Sequence, residues 1–218
     1  MLDQLFRMNQ PDRDDHWRRE FYAAIPHSAL AQRDPLVQKG PDTFPYLQLE
    51  LANARPSAPA VTLAGLLDSA LDQGFGMAIF DGAPSSRPQW VFTYGGLLAY
   101  SLYGSFDGDV EEPPRTSSGS RQVLIAAPGE SFLPARARRV LARFMHDVYR
   151  VPQPKVCLVV DPQLRPSRNI MVNLKAADYH GDEEKLKSAM HYLTWFIPRT
   201  HGLLAQPPDW DESQFVPL

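Results

Sequence analysis

The chain contains a single cysteine, Cys157, which excludes an intramolecular disulfide framework and any centre built from several thiolates. It lies in the apolar run from Lys155 to Val160, where a thiol packs as a small buried hydrophobe. Lysine is scarce as well. Five Lys stand against seventeen Arg, a bias that, with abundant Ala and Pro, points to a GC-rich bacterial genome. No segment approaches the roughly 20 consecutive apolar residues that span a bilayer, so no membrane association is expected. The first ten residues, with Asp3, Gln4 and Arg7 among Leu2, Leu5 and Phe6, have neither the apolar core nor the cleavage site of a secretory signal; a cytoplasmic location is the expectation. An excess of charge of one sign is also missing. At a net charge of -3 no global field gathers polyanions, and no nucleic-acid partner is expected.

Catalytic and metal-binding signatures are equally sparse. The six histidines, His16, His27, His146, His180, His191 and His201, nowhere take the three- or four-residue spacing of helical metal ligands, and no Cys-x-x-Cys exists. No metal and no cofactor are therefore expected. Asp107, Asp109, Glu111 and Glu112 alternate along one polar stretch without the central glycine and closing glutamate of a calcium loop. A Gly-x-Ser-x-Gly elbow is absent, and Gly74-Phe-Gly76 lacks the third glycine and the strand-then-helix order of a dinucleotide fingerprint.

What is present is ordinary globular composition, 44% apolar and 22% charged over 218 residues, enough for one large domain or two small ones. Asp12, Asp14 and Asp15 open a helix bearing Trp17, Phe21, Tyr22 and Ala24, which Pro26 ends. The stretch from Arg33 to Thr43 reads as turn chemistry. From Phe44 to Leu51, Leu47, Leu49 and Leu51 alternate with Gln48 and Glu50, the pattern of a strand with one wet face. Thr62 is placed to cap a helix carrying Leu63, Leu66, Leu67, Ala70 and Leu71 until Gly74. Strands at Met77 to Phe80 and Trp90 to Phe92 enclose a loop, and Thr93 is placed to cap a further helix over Leu97 to Tyr103, with a strand as the alternative because Gly95 and Gly96 disfavour helix.

In the second half, Arg121 to Ala126 reads as a strand. Pro134 opens a helix with Ala137, Val140, Leu141, Phe144 and Val148 on one face. Val156 to Val160 and Asn169 to Leu174 are strands, and Asp182 begins a helix with Leu186, Ala189, Met190, Leu193 and Ile197, stopped by Pro198. The expected fold is α+β: two similar helix-strand-strand-helix halves, around Thr62 to Tyr103 and Pro134 to Ile197, packed around antiparallel or mixed sheet in a manner compatible with internal duplication. The expected organisation is an N-terminal half over 1–106, a polar linker over 107–120, a C-terminal half over 121–204 and a Pro-rich tail over 205–218.

Candidate binding residues fall into three groups. Arg136, Arg139, Arg143 and Arg150 line one side of the Pro134 helix and suit an anion or an acidic surface. Trp195 falls on the polar side of the last helix near His191, where a large exposed aromatic suits an interface anchor. Tyr94, Gly95 and Gly96, at a strand-to-helix junction with Tyr100 beyond, offer amides to an anion or a wall to a cleft between the halves. The residues point first to a non-catalytic protein-interaction or regulatory protein acting on a protein partner or by self-association. The alternative is a small-molecule-binding protein or enzyme with its cleft between the halves.

Overall fold

The computed structural model describes residues 2–82, 87–108 and 123–218. Most of the expected 107–120 linker therefore lies outside the described residues, as do the middle of the loop before Trp90 and the first two residues of the expected 121–126 strand. The chain is α+β, with helices and a mixed sheet in each of two compact units divided at Leu97 and Leu98. No helix of the described residues is long and apolar enough to cross a membrane.

The first unit opens with α1 (Leu2–Phe6) and α2 (Asp15–Ala24). Asp14 caps α2 by accepting the Trp17 amide at 2.8 Å, the role a carboxylate takes at a helix N-terminus. Then follow β1 (Leu30–Lys39), β2 (Pro45–Leu51), α3 (Leu63–Gln73), β3 (Gly76–Phe80) and β4 (Trp90–Phe92). Thr62 accepts the Gly65 amide at 3.0 Å, and Gly74 ends α3 in the left-handed region at φ 80°, where a residue without Cβ carries no steric cost. The sheet order is β1-β2-β3-β4. β2 and β3 run parallel, so α3 is their crossover, while the outer pairs are antiparallel. Leu47, Leu49, Leu51, Met77, Ile79 and Phe92 are buried, as are Leu63, Ala70 and Leu71 of α3.

Phe21 is the centre of an aromatic cluster. Its ring lies 5.0 Å from Trp17, 5.2 Å from Trp90, 5.7 Å from Phe6 and 6.0 Å from both Tyr22 and Phe92. The Trp17 indole donates to Leu5 O at 2.9 Å, so its polar edge is satisfied inside the core. Arg13 braces the same region, its guanidinium over the Trp17 ring at 4.6 Å and donating to Gln89 Oε1 at 2.7 Å.

The stretch from Arg33, expected as a turn, instead continues β1 as far as Lys39. Pairing with β2 breaks register between Gln32 and Val37. That irregularity on an edge strand is where a proline is tolerated, because Pro35 has no amide to give to the ladder. The true turn is confined to the residues between Lys39 and Pro45.

The chain passes between units within α4 (Tyr94–Tyr103). The second unit contains β5 (Leu124–Ala126), α5 (Ala135–Tyr149), β6 (Lys155–Val160), β7 (Arg168–Val172), α6 (Glu183–Leu193), β8 (Gly202–Ala205) and β9 (Val216–Pro217). Its sheet runs β5-β6-β7-β8, with β9 added to the flank of β6 beyond β5. β6 and β7 are antiparallel, and β7 and β8 are parallel across the α6 crossover. Ala137, Val140, Leu141 and Met145 form the buried side of α5, whereas Val148 is exposed.

Both hairpins that the sequence singles out, β3-β4 and β6-β7, are antiparallel and flanked by helices. The pairing pattern nonetheless repeats more completely in another frame. α2-β1-β2-α3-β3 and α5-β6-β7-α6-β8 share element order, an antiparallel first pair and a parallel second pair bridged by one helix.

Candidate ligand cleft

The alternation of β2 predicts a wet face at Gln48 and Glu50. The structure buries both, at 7% and 6% exposure, on an inner strand flanked by β1 and β3. Buried polar side chains need partners, and they have them. Gln48 Nε2 donates to Gln38 Oε1 at 2.6 Å, and Glu50 accepts from Arg55 Nε at 2.9 Å. The register sets Gln48 opposite Ala78 and Glu50 opposite Phe80, while Val91 of β4 lies opposite Ala78. One face of this sheet therefore carries a polar strip beside an apolar one.

A cleft of about 440 Å³ opens on that face, walled by Gln48, Ala78, Phe80, Pro88 and Val91 and rimmed by Arg33, Lys39 and Arg87. Asp42 is the carboxylate among the described lining residues, and it accepts a hydrogen bond from the Tyr46 hydroxyl. The Arg33 guanidinium lies over the Phe80 ring with its carbon 3.9 Å from the centroid, a cation-π arrangement that fixes its plane. Its Nε stays 3.9 Å from Glu50, beyond hydrogen-bond reach, and its Nη1 is shielded from solvent without a hydrogen-bond partner. A planar cation, oriented by an aromatic ring and left with an open donor, is suited to a carboxylate or phosphate.

The residues singled out by sequence are distributed differently. Tyr94 and Gly95 are buried at the start of α4, and the Gly96 amide is taken by Thr93 Oγ1 at 3.1 Å. Tyr100 stacks on Phe106 with centroids 4.6 Å apart. Arg136 is half-buried, and Arg139 and Arg143 are exposed along α5. His191 is exposed, but Trp195 is 7% exposed. The reason is local: α6 ends at Leu193, and Thr194–Phe196 tightens into a 3₁₀ turn. That change of period carries Trp195 into the core against Phe196 at 4.9 Å.

The second unit holds a buried polar pair that the sequence does not flag. His201 is 6% exposed, stacks on Phe132 at 3.8 Å and shares a 2.7 Å hydrogen bond between Nε2 and the Tyr103 hydroxyl. Burial, reinforced by the positive charge of Arg168, brings its pKa down to about 4. No group of His, Cys, Asp and Glu side chains among the described residues is arranged to hold a metal ion. Comparison with protein-family models, curated proteins and solved structures yields no match for this chain.

Proposed function

We propose that the protein binds a small anionic molecule in the cleft of its first unit, with Arg33 as the anion-reading group. The carrying observation is the oriented guanidinium over Phe80 whose shielded Nη1 lacks an intramolecular partner. Lys39 and Arg87 add positive charge at the rim, and Ala78, Phe80 and Val91 supply an apolar wall for the body of the ligand. The test is a calorimetric titration with short mono- and dicarboxylates and with phosphate esters. Wild type is expected to bind one of these classes, and Arg33→Met to bind it roughly 10- to 100-fold more weakly, the range for a hydrogen bond to a charged group. Equal affinity in the two proteins overturns the assignment.

A second reading, self-association, is favoured by β5. Its residues Leu124, Ile125 and Ala126 are all exposed at the end of the sheet, Leu124 to 63%. An apolar edge strand is a template for antiparallel pairing with a second copy about a two-fold axis. Light scattering is expected to give a dimer for wild type and a monomer for Leu124→Lys. A wild-type monomer across the micromolar range removes this reading. Trp195, buried as it is, no longer contributes to it.

A further inference from the structure

We infer that the second unit carries a separate ligand site, a cleft between the end of α5 and the start of the C-terminal segment, which takes a purine mononucleotide whose base is read by Gln206. The cleft measures about 530 Å³, and Tyr149, Arg150, Lys155, Lys175, Tyr179 and Gln206 are among its lining residues. That volume lies within the ordinary range for small-molecule sites.

Gln206 is 3% exposed, yet neither Oε1 nor Nε2 has a hydrogen-bond partner. Its main chain is fixed, the amide donating to Leu174 O at 2.8 Å. Glu212 lies close enough for the Gln206 amide to help Lys175 lower its pKa, but the contact does not close into a hydrogen bond of normal geometry. The Tyr179 hydroxyl, a second lining group, is likewise shielded and without a partner. Burial raises its pKa, with Asp178 acting in the same direction, so it stays a neutral donor. Neither end of this buried amide is closed in a hydrogen bond of normal geometry, its donor end lying toward Glu212 and its Oε1 unpartnered, and such an amide is complementary to a partner that presents an acceptor beside a donor, as the edge of adenine does. Tyr149 provides a second ring, anchored by its hydroxyl donating to Ala189 O at 3.3 Å.

The rim supplies the charge for the phosphate. Its two carboxylates are already engaged within the chain: Glu212 pairs with Lys175 at 2.7 Å, and Asp178 accepts the Lys175 amide at 2.9 Å. Lys155 lies near enough to Glu212 for its charge to help lower that carboxylate's pKa, and Arg150, exposed and in the left-handed region that closes α5, is the rim cation best placed for a phosphate. Two cations beside an amide and a phenol match a base carrying an acidic group better than a neutral nucleoside.

The experiment is a calorimetric titration of the whole chain with adenosine monophosphate, adenosine and inorganic phosphate. Adenosine monophosphate is expected to bind at least roughly tenfold more tightly than adenosine. Gln206→Leu is expected to weaken the nucleotide by tenfold or more, as sites that read hydrogen-bonding edges do. Arg150→Ala, at an exposed helix end where folding is not at stake, is expected to erase the advantage of the nucleotide over adenosine while leaving adenosine unchanged. The titrations are repeated in the Arg33→Met background, which disables the anion cleft of the first unit, and nucleotide binding at the Gln206 site is expected to persist there. The inference is overturned if the nucleotide does not bind the Arg33→Met protein, if phosphate alone binds that protein as tightly, or if adding Gln206→Leu or Arg150→Ala leaves nucleotide binding unchanged.

Discussion

Phe21→Ala is expected to lower the unfolding free energy by about 3–5 kcal/mol, the range for removing a fully buried aromatic ring. Phe21 is wholly buried and lies within 6.0 Å, centroid to centroid, of five other rings. Its loss opens a cavity bordered by α1, α2 and β4, and flat rings cannot collapse into that space without giving up their own contacts. Against a typical total of roughly 5–15 kcal/mol, that is a large fraction of the stability of the fold. Urea unfolding followed by tryptophan fluorescence measures it directly, since Trp17 and Trp90 border the missing ring. A loss below about 1 kcal/mol would mean that α2 is not integral to this core.

The second large effect is a pH dependence set by His201. Its folded pKa of about 4 lies below the ordinary 6.5, so the unfolded chain takes up a proton more readily than the folded one. Stability is then complete above about pH 6.5 and is lost as the pH falls toward 4, by about 3 kcal/mol over that window. The cause is geometric. The ring lies between Phe132 and Tyr103, with Arg168 adding positive charge nearby, and an imidazolium there is both desolvated and repelled. His201→Gln, which keeps a polar group toward Tyr103, is expected to flatten the dependence between pH 7 and pH 4 by that amount. Urea curves at the two pH values check it. Asp14 and Asp182, whose pKa values are lowered by backbone amides at their helix N-termini, lose their contribution only as the pH falls through the carboxylate range. The comparison of wild type with variant cancels them.

Much of the architecture follows from short-range signals. Thr62, Asp182 and the αL glycine at Gly74 delimit helices through bonds made within four residues, so their roles are readable from the chain itself. The 3.6-residue spacing of Ala137, Val140 and Leu141 likewise identifies the inner side of α5. What escapes the sequence depends on distant partners. Gln48 and Glu50 look solvated until β1 and Arg55 supply Gln38 and a guanidinium, which turns a wet face into a buried polar strip. Pro35 looks like a turn until the register break shows a bulged edge strand. Trp195 looks exposed as long as α6 keeps its period, and the 3₁₀ turn after Leu193 removes that assumption. Gln206 carries no local signal at all, because a lone glutamine beside Pro207 is unremarkable until burial leaves its amide without a partner.

Cys157 closes the account of the C-terminal segment. It is wholly buried beside Val159, Met171 and Phe215, with Trp210 packed against the same group, and burial pushes its pKa up to about 11. Phe215 and Trp210 belong to the segment that ends in β9, so they form part of the lid over the chain's sole thiol. Alkylation of that thiol needs both access and ionisation, and the closed core withholds each. The native chain thus contains its own reporter: the rate at which a thiol reagent consumes Cys157 reads out the openings that uncover this core, with no label introduced.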